Sequence, residues 1–86
     1  MVTPTVHLNG TSAEELMRLF ADAGAAVQTA MKAVEDAGPN GRDYYPQGPG
    51  MLTVAIGEHV DRIGKLNSVY KDLVALHDAV EAQTNG

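Results

Sequence analysis

The chain has 86 residues, with 11 acidic and 6 basic side chains, a net charge of −5 and no cysteine. A chain this short makes one domain at most, and such a domain buries only about two-thirds of the surface its unfolded form exposes. The acidic balance argues against binding along a nucleic-acid backbone, the lack of cysteine excludes disulfides and thiolate zinc sites, and no apolar run reaches the ~20 residues of a membrane-spanning helix.

Residues 1–10 read as a short extended arm. Pro4 biases its neighbour away from helix, and Val6 and Leu8 alternate with Thr5 and His7. So short a segment makes no sheet of its own and must pair with another chain or lie along a helix. It has neither the basic start nor the apolar stretch of a signal peptide, so the expected location is the cytoplasm.

Asn9-Gly10 turns the chain, and Ser12 with Glu15 three residues later reads as a capping box opening a helix over 12–37. Leu16, Phe20, Ala23, Val27, Ala30, Val34 and Ala37 recur at alternating spacings of 4 and 3, one continuous apolar seam. Its middle, Ala23-Gly24-Ala25-Ala26, is small enough for close helix approach. Gly38 and Pro39 stop the helix.

The segment 38–49 reads as loop, because its prolines and glycines exclude helix, and it is long for a helical connection. Gly48 and Pro49 look like the cap and first position of a second helix over 50–83. That helix carries a seam of Leu52, Ile56, His59, Ile63, Leu66, Tyr70, Leu73, His77 and Val80, flanked by Val60, Val69, Val74 and Leu76. The stripe is too wide for one partner helix. Glu14–Arg18, Glu58–Arg62 and Asp61–Lys65 have the spacing of helical ion pairs with the acid first. The expected fold is all-α: a single domain built as a long antiparallel helix-loop-helix hairpin that assembles into an oligomeric helical bundle, a dimer or larger.

The loop gathers chemistry. Arg42 can pair with phosphate, and Tyr44 and Tyr45 can stack on a base. Free backbone N–H groups at Gly50 and Met51 offer an anion site where the helix begins. The structural alternative is that both tyrosines plug the end of the hairpin while Arg42 pairs with Asp43. On the second helix, Thr53, Gly57, Asp61, Gly64 and Ser68 form a small or polar stripe, where a neighbouring helix is expected to approach the backbone. His59 and His77 lie 18 residues apart in the seam, too far to share a metal within one helix. An antiparallel second copy centred on Ser68 would set His59 of one chain beside His77 of the other, as interface histidines rather than zinc ligands. No nucleophile elbow, phosphate loop or metal-hydrolase motif is present, so no catalytic residue, metal or cofactor is expected and the chain reads as a non-enzyme.

The opening Val6-His7-Leu8-Asn9-Gly10-Thr11-Ser12 and the loop Asn40-Gly41-Arg42-Asp43-Tyr44-Tyr45-Pro46-Gln47-Gly48 resemble a family of small phage and prophage proteins without an assigned function. In architecture the chain also resembles phage anti-defence sponges of the anti-Thoeris and anti-CBASS kinds, helical hairpins that oligomerise and sequester nucleotide signals between subunits. This likeness implies a host-cytoplasmic binding protein for an ADP-ribose derivative or cyclic dinucleotide. Arg42, Asp43, Tyr44, Tyr45 and Gly50 would meet the ligand, with Arg62, Lys65 or Lys71 of a neighbouring subunit completing the charge. The alternative is a helical protein-interaction module, an adaptor or inhibitor of another protein.

Overall fold

A computed structural model describes residues 1–84. Helix α1 (Ala13–Asp36) leads through a short α2 (Gly41–Tyr44) and a 3-10 turn (Tyr45–Gln47) into the long α3 (Met51–Thr84). The described residues contain no strand, and none of their helices is long and apolar enough to cross a membrane.

Helix α1 begins where Ser12 sits in extended geometry and its Oγ accepts from the Glu15 N–H at 3.2 Å. The reciprocal half of the expected capping box is missing. The Glu15 carboxylate instead takes the Arg18 guanidinium, which also reaches Asp22 at 3.0 Å. The planar guanidinium fork engages a carboxylate bidentately, so it wins Glu15 from the cap and displaces the expected Glu14–Arg18 pair. Among the described residues no ion pair joins Glu58 to Arg62 or Asp61 to Lys65. Exposed pairs of this kind gain little and must freeze two long side chains.

At its far end α1 tightens into 3-10 bonding, with Ala37 N–H donating to Val34 O at 3.1 Å and Gly38 N–H to Glu35 O at 3.1 Å. Gly38 is not left-handed, as a glycine cap would be; among the described residues only Gly48 and Gly50 have positive φ. Its lack of a side chain serves packing. A Cβ there would lie 3.3 Å from His59 Nε2 and 3.2 Å from Glu35 O.

The loop expected over 38–49 is partly helical. Asn40 caps α2 by accepting from the Asp43 N–H at 3.3 Å, a device that needs only one turn and leaves Pro39 and Pro46 outside it. Gly48 (φ 103°) and Gly50 (φ 87°) then reverse the chain, and helix begins only at Met51. Pro49 therefore sits between two left-handed glycines rather than in the first turn of α3.

Helix α3 half-buries Leu52, Ala55, His59, Ile63, Leu66, Tyr70, Leu73 and His77 along the side that meets the loop and α1, with Val80 fully buried at the end. Ile56, placed in this seam by its spacing, is 45% exposed and Ala55 takes its place. Both lie one turn before His59, so periodicity alone does not choose between them. The small residues Gly57 and Gly64 meet nothing within 4 Å of a built Cβ, so the helix expected against that stripe is not α1.

The arm forms no strand but is tied to the end of α3. Val6 N–H donates to Gln83 Oε1 at 2.9 Å, and Gln83 Nε2 donates to Pro4 O at 2.8 Å. One side-chain amide thus satisfies two arm backbone groups as a neighbouring strand would. The hairpin measures 61 × 20 × 19 Å. Its radius of gyration is 18.7 Å, against ~12 Å for a compact domain of this length.

Candidate functional sites

Two concavities stand out, one at the loop and one along the side of the hairpin. The loop cavity, about 350 Å³, is lined by Gly41, Tyr44, Tyr45, Gly48, Pro49, Gly50 and Leu52. Three of the expected ligand residues, Tyr44, Tyr45 and Gly50, therefore come together. The tyrosines differ: Tyr44 is half-buried, whereas Tyr45 is 77% exposed and plugs nothing.

The charged partners are elsewhere. Arg42 lies on exposed α2 and does not line the cavity. Asp43 turns away from it, because its carboxylate accepts from Asn40 Nδ2 at 2.9 Å. This bond completes the cap of α2 and replaces the Arg42–Asp43 pairing considered from sequence. Counting along α3 from Leu52, Arg62, Lys65 and Lys71 lie ~15, ~20 and ~28 Å up the helix. Within one chain they do not meet the loop. The cavity is thus an aromatic, glycine-rich hollow without a cationic wall.

The lateral groove, about 260 Å³, runs between the two long helices, lined by Phe20, Gly24 and Gln28 on one side and Tyr70, Val74 and His77 on the other. Its floor exists because Gly24 is buried beneath the Tyr70 ring, whose nearest atom would stand 3.7 Å from a Cβ. The groove continues towards the loop between Gln28, Lys32 and Asn67. The small centre of α1 was legible in the sequence. Gln28 and Asn67 were not singled out, although polar residues beside an apolar seam mark where an element expects an edge.

Two of the hydroxyls and one histidine have partners within the chain. Ser68 Oγ donates back to Gly64 O at 3.1 Å, Ser12 is the helix cap, and His77 Nδ1 lies 3.1 Å from Asp78 Oδ1 on the same helix. Among the described residues no three His, Asp or Glu side chains come together as metal ligands. The resolved electrostatic shifts lie at the start of α1. The Arg18 guanidinium beside Glu15 holds that carboxyl below the ordinary glutamate value, and Arg18 is raised in turn.

Compared with known proteins, the chain matches no family model, no curated protein and no solved structure.

Proposed function

We propose that this chain is a non-catalytic helical interaction module that works as an assembly of its own copies and presents a composite surface to a protein partner. The observation supporting this is the apolar surface left open on α3, where Ile56, Val60 and Val74 are each at least 40% exposed beside the side of the helix that α1 covers. A helix that is apolar on more than one side belongs inside a bundle. Size-exclusion chromatography with light scattering tests the reading. At micromolar concentration the mass should be a multiple of 9.1 kDa. A 9.1 kDa species with a cooperative melt would contradict it.

A second reading is favoured by the loop cavity, where Tyr44 and Tyr45 border a hollow open at Gly48 and Gly50. On this reading the chain is a phage-encoded sponge for a phosphorylated nucleotide such as an ADP-ribose derivative or cyclic dinucleotide. A second subunit would have to bring in the cationic residues that one chain keeps apart. A matching nucleotide at a hundred times its dissociation constant should stabilise the protein by ~2.7 kcal/mol, visible as a raised melting temperature. Arg42→Ala should abolish that shift while leaving the free protein's melting temperature in place. If no nucleotide shifts the melt, the sponge reading falls and the interaction module stands.

A further inference from the structure

We propose that the open side of α3 is the seat of a second copy of this chain, packed antiparallel about a two-fold axis at Asn67. This deepens the self-association reading and rests on it. The face is defined by Val60, Gly64, Asn67, Lys71 and Val74, spaced 4, 3, 4 and 3, which is a second helix-packing seam beside the one that meets α1. Val60 and Val74 are 60% and 40% exposed, and Gly64 has open space where a side chain would begin. On the other bank of the groove, Ala21, Ala25, Gln28 and Lys32 repeat at the same spacing and are all exposed, so the hairpin offers one broad, shallow face.

Two observations choose a second copy as the occupant. The first is area. The chain exposes 6146 Å². A compact monomer of this mass exposes ~4,900 Å². The excess, roughly 1,200 Å², exceeds the ~800 Å² each partner contributes to a standard interface. The second is self-complementarity, which a two-fold interface demands. Val60 and Val74 lie seven residues before and after Asn67, so rotation about Asn67 sets Val60 of each copy against Val74 of the other. Asn67 meets itself on the axis, and a side-chain amide can both donate to and accept from its twin, fixing the register as a lone seam asparagine does in coiled coils. The same rotation brings Lys71 of each copy within one turn of Asp61 of the other along the helix axis. The open stripe of Gly57 and Gly64 then flanks a helix contact instead of solvent.

Because the chain has no cysteine, single substitutions report this geometry without background. Under mild oxidation Asn67→Cys should convert most of the chain to a covalent dimer, since the axis places the two Cα atoms within reach of a disulfide. Val60→Cys and Val74→Cys should each cross-link weakly alone and strongly when the two variants are mixed. Val69→Cys, two residues and therefore about 200° round the helix from Asn67, should stay monomeric on a denaturing gel. Light scattering on the reduced variants separates the possible failures. A dimer that cross-links through Val69→Cys and not through Asn67→Cys overturns this face while leaving self-association intact. A monomer throughout overturns both. Mixing that gives no more product than Val60→Cys alone overturns the antiparallel register.

Discussion

Helices α1 and α3 pack on each other yet stand in different relations to solvent. Of the 24 residues of α1, the large apolar side chains except Leu19 face inward, and the outer side is alanine, charge and amide. The 34 residues of α3 are apolar on two sides, one covered by α1 and one open, with Ile56, Val60 and Val74 on the open flank. A short helix with one stripe needs one neighbour, and a long helix with two stripes needs two. The hairpin supplies one. The difference teaches where pairing would act: on the proposed reading, folding and association are coupled through α3.

The sharpest way to break that comparison is to charge each side of α3 in turn. Ile63→Asp places a carboxylate in the covered seam, without a partner, and should remove the cooperative melt at a cost of ~3 kcal/mol or more. Val60→Asp should instead lower the apparent mass first, because its side chain touches solvent in the single hairpin. Circular dichroism read beside light scattering distinguishes the two outcomes. If Val60→Asp leaves the mass unchanged, the open side of α3 is ordinary surface.

Glycines sharpen the contrast between packed and open backbone. Gly38→Ala pushes a methyl to 3.3 Å from His59 and 3.2 Å from a backbone oxygen, contacts too tight to leave unadjusted. It should destabilise by ~1–2 kcal/mol in a chemical melt, as overpacking does. Gly24→Ala meets the Tyr70 ring at an ordinary 3.7 Å and should stabilise by up to ~1 kcal/mol through helix propensity. Opposite signs at the two sites are the expected result; a Gly38→Ala variant as stable as the parent would mean that the Gly38–His59 contact is not a packing constraint.

Two smaller effects concern the ends. Gln83→Ala removes both bonds to the arm, so the Val6 amide should exchange with solvent faster, with a stability loss of ~1 kcal/mol. Glu15 is held below its ordinary value of 4.5 by the Arg18 hydrogen bond, so its contribution is complete above that value. It is lost as the pH falls through the lowered folded value. Arg18→Ala should therefore flatten the acid limb of the stability profile below about pH 4.5.

Much of this architecture could be read from spacing. The two seams, the Ser12 cap and the helix limits came within one or two residues, because periodicity and capping are local. What escaped depended on tertiary choices. Asn40 turns part of a proline- and glycine-rich segment into a helical turn, which composition alone argues against. Ile56 and Ala55 are equivalent to a periodic reading, and only the closure of the hairpin selects between them. At the loop, Tyr44, Tyr45 and Gly50 were legible as neighbours because they are close in sequence. The turning of Asp43 towards Asn40 depends on a cap bond that no residue pattern specifies uniquely, and Gln83 reaches the arm across 77 residues.

If a second copy completes the fold, as proposed, the melting temperature must depend on protein concentration, and that dependence is the most direct test. For a hairpin stabilised by pairing, a hundredfold rise in concentration contributes ~2.7 kcal/mol per pair, and the melting temperature should climb by roughly 5–10 °C. A melting temperature that stays constant across that range, with the transition still cooperative, would contradict the claim.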